Sequence, residues 1–306
     1  MSFELTILGS SSALPTSKRN TTAHLLNINE RFFLIDCGEG VQIQLRKLHI
    51  SPARINHIFI SHLHGDHVFG LFGLLSSLGL MGRKADLHIY APEKMEEMLN
   101  SHLSYFGPLP YVLKFHIPLP GERVYEDSKT EVHAIELMHR TQTFGYIFRE
   151  KDKLLNLNKE KLEKYNINIE ERVKIKNGAD YLTAEGKTIP NKELTLKPWH
   201  PRSYAFISDS GFKSSIASQI QGVDLLYHEA TFLERDRKLA KQTLHSTAKQ
   251  AAEIALRANA GRLIIGHFST RYKSEQEFAD EAQEVFGETV AVNDGDVYSV
   301  PLKREK

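Results

Sequence analysis

The chain has 306 residues, 41% hydrophobic and 25% charged, a balance that excludes wholesale disorder and a fibrous repeat and allows a sizeable core. Its formal charge of +1 points to no partner, so any nucleic-acid surface must be a local patch. Cys37 is the single cysteine, no apolar run nears the ~20 residues that cross a bilayer, and the opening MSFELTILGSSSALP has neither the basic end nor the apolar stretch of a signal peptide; a cytoplasmic chain without disulfides or a membrane partner is expected.

Short runs of β-branched and aromatic residues predict strands at Phe3 to Leu8, Arg31 to Asp36, His57 to Ser61, Leu87 to Ala91, Val132 to Met138 and Phe144 to Phe148. Three more follow, at Ser203 to Ser208, Asp224 to His228 and Arg262 to Gly266. Amphipathic spacing predicts helices over Gly40 to His49, Val68 to Leu80, Glu93 to Phe106, Ser246 to Asn259 and Ser274 to Phe286. A hairpin over His24 to Asp36 excludes a purely parallel sheet. The order fits an α/β (α+β) fold, an αββα sandwich of two facing mixed sheets flanked by helices. It is expected to form one domain over 1–306. From Arg149 to Arg202 the chain carries 13 Lys or Arg against 9 Asp or Glu, a net of +4. That polar, turn-rich stretch, 149–202, reads as an insertion projecting from the core, either a solvated excursion or a binding arm.

The densest chemistry lies in Ile58-Phe59-Ile60-Ser61-His62-Leu63-His64-Gly65-Asp66-His67. An apolar strand runs straight into three histidines and a carboxylate, nitrogen and oxygen donors that suit zinc. Burying so many polar groups without a partner would be costly. Further donors stand where other predicted strands end: His139, Asp209 and His267. Singly, each reads as well as a turn residue; together with the first run they suggest a shared site holding two ions. The remaining histidines show no joint pattern and read as structural or exposed.

The His-x-His-x-Asp-His run, with His139, Asp209 and His267, resembles the metallo-β-lactamase superfamily. Within it the chain is similar to the ribonuclease Z family over nearly its whole length. Leu14-Pro15-Thr16-Ser17-Lys18-Arg19-Asn20, Asp36-Cys37-Gly38-Glu39-Gly40, His228-Glu229-Ala230-Thr231-Phe232, His245-Ser246-Thr247 and Gly266-His267-Phe268-Ser269-Thr270-Arg271-Tyr272 carry that resemblance. It implies two Zn2+ per subunit, or Mn2+ or another divalent ion. His62, His64 and His139 would hold one, Asp66, His67 and His267 the other, with Asp209 between them. Asp66 would take the proton of the attacking water, His245 would protonate the leaving ribose 3′-oxygen, and Glu229 would orient His245. Read without the family, Glu229 is a strand-end carboxylate and His245 part of a helix-capping stretch. Arg271 is implied to hold phosphate, and Lys18, Arg19 and Asn20 to sense nucleotides beyond the cut. Asp36 reads as an acceptor that orients ligand histidines, and Cys37 as a small packed residue.

The implied activity is removal of the 3′ trailer from precursor tRNA after the discriminator nucleotide, by a homodimer whose arm grips the RNA. Lys174 and Lys176 would contact the RNA backbone, although the arm lacks the family's Gly-Pro tip. Ser208 stands where a glycine commonly precedes the aspartate, and Ser17 where a basic residue is often found. The alternatives are a two-metal hydrolase acting on a small phosphodiester, ester or thioester, and a noncatalytic RNA-binding module. Retained donors speak against the module, while the basic insertion and the His245 and Glu229 pair favour RNA over a small substrate.

Overall fold

A computed structural model describes residues 2–304. The chain opens with β1 (Phe3–Gly9), β2 (Ala23–Ile28) and β3 (Arg31–Ile35), then α1 (Val41–Lys47) and β4 (Ile55–Phe59). Next come α2 (Gly65–Leu80), β5 (Leu87–Tyr90), α3 (Lys94–Phe106) and β6 (Leu113–His116). β7 (Arg123–Glu126), β8 (Thr130–Glu136) and β9 (Phe144–Glu150) begin a second sheet.

A run of small elements follows: β10 (Asn156–Leu157), α4 (Lys159–Lys164), α5 (Ile169–Lys176), β11 (Tyr181–Leu182), β12 (Thr188–Ile189), α6 (Asn191–Leu194) and β13 (Thr195–Leu196). The second sheet resumes with β14 (Ser203–Ile207), α7 (Ile216–Gln219), β15 (Leu225–Glu229), α8 (Arg237–Thr243), α9 (Ala248–Arg257) and β16 (Leu263–Gly266). α10 (Gln276–Gln283), β17 (Thr289–Ala291) and β18 (Val297–Ser299) close the chain.

The two large sheets have seven strands each, in the orders β18-β1-β2-β3-β4-β5-β6 and β17-β16-β15-β14-β9-β8-β7. Both are mixed: β1 to β3 pair antiparallel and β3 to β6 parallel, while β14 to β17 pair parallel and β9 pairs antiparallel with β14. Phe33 and Ile35 of β3 enter the core between the sheets with Tyr146, Phe148 and Phe206, whereas its Phe32 and Leu34 pack with Leu71, Leu74 and Leu78 of α2. A strand covered on both faces needs an unbroken apolar run, and this is why alternation is absent there. The outer face of the second sheet is buried against α7, α9 and α10 through Ile216, Ala251, Ile254 and Phe278. The layers are therefore helix, sheet, sheet, helix. Sequence reasoning did not anticipate β6, β7, β17, β18 or α8. The four strands are three or four residues long and lie at or near sheet edges, with too few periods to register.

Two compact units can be distinguished. One runs to Arg149 and resumes over Ser203–Val300; the other comprises Glu150–Arg202 and the chain from Pro301. The second unit has a small core of its own: Leu162, Ile167, Ile175, Ile189 and Leu194. These residues come from separate short elements, so no single helical period reveals them. Asn158 and Asn168 cap α4 and α5 by accepting from Lys161 N and Glu171 N. At its ends, the Arg202 guanidinium donates to both oxygens of the Glu150 carboxylate, at 3.0 and 2.8 Å, with both side chains buried. Among the described residues no helix is long and apolar enough to cross a membrane.

Candidate active site

The site is built where strands end. Asp36 follows β3, His62 follows β4, His139 follows β8, Asp209 follows β14, Glu229 closes β15 and His267 follows β16. Parallel strands put such carboxyl ends along one edge, where loops can converge. Asp66 and His67 lie in the first turn of α2, where a negative charge suits the helix dipole. The next turn of α2 is locked against the β3–α1 connection: a Cβ on Gly70 would come within 2.1 Å of the Gly38 carbonyl oxygen, so only glycine allows the approach.

Two groups of donors converge, the atoms within each lying within 4.8 Å of one another. One is His62, His64, His139 and Asp209; the other is Asp66, His67 and His267; His245 also lies within 4.8 Å of Asp209 and His267. Asp209 faces both. Its Oδ1 is 3.1 Å from His267 Nε2 and 3.4 Å from His67 Nε2, whereas its Oδ2 is 3.7 Å from His62 Nε2 and 3.9 Å from His139 Nε2.

Ring orientation is imposed from behind. His67 Nδ1 donates to Asp36 Oδ2 at 2.7 Å, and His139 Nδ1 donates to the Leu244 carbonyl at 3.1 Å. His267 Nδ1 lies 2.8 Å from Thr231 Oγ1, whose own hydroxyl proton goes to Glu229 Oε2 at 2.8 Å, so the imidazole is the donor there. In all three rings the proton therefore sits on Nδ1. The opposite nitrogens, Nε2 of His67, His139 and His267, are buried with no hydrogen-bond partner. Buried, unpaired imidazole lone pairs aimed at neighbouring carboxylates are what a cation site requires. The charges agree. Burial lowers the pKa of His62 and His139, favouring the neutral form that can ligate. Burial would also lower His67, but Asp66, Asp209 and Asp36 outweigh it and raise that ring well above the usual range, a sign of negative charge in want of a cation.

Four residues here hold left-handed backbone without being glycine: Ala13 (φ 58°), Asp36 (φ 55°), Leu244 (φ 58°) and His267 (φ 63°). Each serves the cluster. Ala13 N donates to Asp66 Oδ2 at 2.8 Å, and Asp36 takes Ser61 N and Oγ at 2.7 and 2.8 Å besides His67. Replacing Asp36 by Asn, which keeps the shape but not the charge, should weaken metal binding about 10–100-fold. A competitive chelator titration measures it, and turnover at saturating metal should change far less.

His245 stands apart from the donor rings by its partner. Its Nδ1 donates to Glu229 Oε1 at 3.0 Å, and Glu229, fully buried, also accepts from Ser210 N, Ser246 N and Thr231 N at 3.1, 2.9 and 2.8 Å. Burial alone would lower the pKa of His245; the Glu229 carboxylate more than offsets this and raises it to about 9. The pairing with Glu229 thus favours the protonated ring. Thr247, two residues on, is the N-cap of α9 and forms a capping box with Gln250.

Three comparisons bear on identity. A family model described as anti-Pycsar protein Apyc1 matches residues 3–107. The ribonuclease Z of Porphyromonas gingivalis is 48% identical over 296 residues, covering 95% of this chain and 97% of that protein. The chain belongs to the ribonuclease Z family. In keeping with that membership, the crystal structure of the human tRNase Z short form aligns with a TM-score of 0.70 at 25% identity, covering 97% of this chain and 99% of the other. A metallo-β-lactamase-fold protein from Bacillus subtilis aligns at 0.71 with 17% identity, over 97% and 98% of the two chains, which bears on the fold alone.

The other residues singled out by ribonuclease Z resemblance are placed unevenly. Arg271 is exposed over the Phe232 ring at 5.1 Å, and Phe232 itself lies 6.1 Å from the His245 ring. Lys18 is exposed. Arg19 is not a free cation: it is buried, and its guanidinium is spent on Glu275, Ser10, the Val292 carbonyl and Asn293. Asn20 is tied to Asp294 through both its backbone and its side-chain nitrogen. These two residues anchor the loop that presents Lys18. Lys174 and Lys176 are exposed on α5, Lys174 paired with Glu171 at 2.6 Å. Cys37 is fully buried, and burial pushes its thiol pKa up, which makes it unreactive. Sequence reasoning missed Thr231, the hydroxyl joining Glu229 to His267. It lay within the quoted His-Glu-Ala-Thr run without a role.

Proposed function

We propose that this chain is a zinc-dependent endoribonuclease that removes the 3′ trailer from precursor tRNA. It cuts after the discriminator nucleotide and leaves a 3′-hydroxyl on the tRNA and a 5′-phosphate on the trailer. The observation that carries the reading is the His245–Glu229 pair at 3.0 Å beside two convergent donor groups. A cation site alone suits many hydrolases; a protonated imidazole next to it suits a poor leaving group such as a ribose alkoxide.

In this reading His62, His64 and His139 would hold one ion and Asp66, His67 and His267 the other, with Asp209 available to both. Imidazole nitrogen with carboxylate oxygen is the donor set of zinc, with manganese a weaker competitor. Divalent cations there supply Lewis acidity toward water and phosphate oxygens. The remaining work falls to the chain. Asp66 accepts the proton of the attacking water. His245, its Nδ1 held by Glu229, gives the Nε2 proton to the departing 3′-oxygen. Arg271 and Lys18 bind phosphates on the strand being cut, while Arg19 and Asn20 fix the loop.

The 149–202 segment serves as an arm that grips the RNA, and the enzyme works as a cytoplasmic homodimer. Changing Lys174 and Lys176 together to Gln should raise KM for precursor at moderate salt. It should also flatten the log KM against log salt plot by about 1.5, at ~0.7–0.9 per lost phosphate contact. A steady-state salt series measures this, with kcat retained.

The overall test is mapped cleavage of one 5′-labelled precursor by protein of measured metal content. A single cut after the discriminator, ending in a 3′-hydroxyl, is expected. A higher kcat/KM on bis(nitrophenyl) phosphate than on precursor would instead make it a hydrolase of small diesters.

A further inference from the structure

Beside His245 the chain forms a second recess, about 310 Å³, lined by Met138, Gly211, Phe212, Arg237, Lys241, Leu244, His245 and Gln250. Its walls come from four places. Met138 lies in the connection after β8, Gly211 and Phe212 in the loop after β14, and Arg237 and Lys241 on α8. Leu244 and Gln250 flank the turn into α9. Apart from His245, which lies within 4.8 Å of Asp209 and His267, none of these residues belongs to a donor group.

The lining divides by chemistry. Met138, Phe212 and Leu244 give an apolar wall that is still open to solvent, Met138 being 39% exposed. Gly211 keeps that wall low: a Cβ there would meet Met138 Cε at 2.7 Å and force the thioether out of its place across the turn. Opposite stand two exposed cations. Arg237 is shared with Glu234 at 2.9 Å, while Lys241 has no acidic partner among the described residues. Gln250 uses its carbonyl oxygen on Thr247 N, leaving the amide nitrogen as the side-chain donor in the wall. An apolar slot with a cationic rim and one polar donor suits a flat heterocycle bearing a phosphate, and the volume suits one such unit.

We infer that this recess is the subsite for the last nucleotide retained on the RNA, the one whose ribose 3′-oxygen leaves. The assignment rests on the role proposed for His245, because the group that protonates a leaving oxygen must lie on the leaving side. The base lies against Met138 and Phe212, and its 5′-phosphate pairs with Lys241, assisted by Arg237. An apolar wall accepts any base face, so the pocket measures the presence of a base more than its identity. Leu244 couples the parts: its side chain lines the recess, its carbonyl orients His139, and the next residue is His245. Filling the slot therefore sets the ribose in register with both the acid and the neighbouring donor group.

The test is a double-mutant cycle between protein and RNA. kcat/KM is measured for wild type and for Met138→Ala on a precursor with an intact discriminator and on one with an abasic discriminator. Removing the base should cost wild type about 5–150-fold, the range of base stacking. Met138→Ala should lose a similar factor on intact RNA, and the two losses should not multiply. Because Phe212 packs partly on the core, Met138 is the safer site, and Lys241→Gln serves as the second variant. It should raise KM and lower the salt slope by about one. Losses that multiply, or a base whose removal costs wild type nothing, overturn the subsite while leaving the cleavage reading intact. Wild-type protein that leaves the intact precursor uncut overturns both.

Discussion

Changing His245 to alanine is expected to lower kcat on precursor tRNA by about 10²–10⁴-fold, the usual contribution of a positioned general acid. Metal content should stay as in wild type. The second half of the result is the informative one, because His245 also stands within 4.8 Å of Asp209 and His267 as a third donor group. Only its bond to Glu229 sets it apart as an acid and not a ligand. A loss of bound zinc in the variant would move it into the ligand set. The pH dependence gives an independent readout. The proton of His245 is held up to about 9, above the ordinary imidazole value of ~6.5. The ion pair with Glu229 therefore contributes fully below that ordinary value and is lost as pH climbs through about 9. Wild-type kcat should fall on the alkaline side with that midpoint, and the alanine variant should lose the alkaline limb.

Asp209→Asn should have the larger effect. Each of its oxygens faces a different donor group, so replacing one oxygen by an amide nitrogen weakens both. Bound metal should drop below one equivalent per chain, and turnover should fall by ~10³-fold or more, as loss of several kcal/mol of charge stabilisation requires. Metal analysis beside single-turnover cleavage measures both. Retention of full metal with near-normal rate would place the two cations elsewhere. The contrast with Asp36→Asn is diagnostic, since that residue touches His67 only from behind. It should respond to added zinc, and Asp209→Asn should not.

Much of this site could be read from the sequence because its donors are concentrated. His62, His64, Asp66 and His67 fall within six positions, and His139, Asp209 and His267 each follow an apolar strand that marks its own end. What could not be read depends on distant or backbone partners. Arg19 looks like a solvent-facing cation in a polar loop, but its partners Glu275, Val292 and Asn293 lie more than 250 positions away. The orientation of His139 depends on a backbone carbonyl, which any residue type at position 244 would supply, so no side chain announces it. The short edge strands and the core of the 150–202 unit were hidden for a related reason. Their apolar residues are spread one or two to an element, and periodicity needs longer runs.

The left-handed residues around the cluster have a consequence for how such an enzyme tolerates change. Each non-glycine residue held there costs roughly 1–3 kcal/mol, repaid by the packing that surrounds it. Ala13, Leu244 and His267 cannot relax without releasing Asp66, His139 or a donor ring. Relaxing Leu244 by glycine would ease the turn and slacken the hold on His139 and His245 together. Heat tolerance and proton delivery thus pull in opposite directions at these few positions, and hardening of the protein is best sought in the sandwich, away from the strand ends.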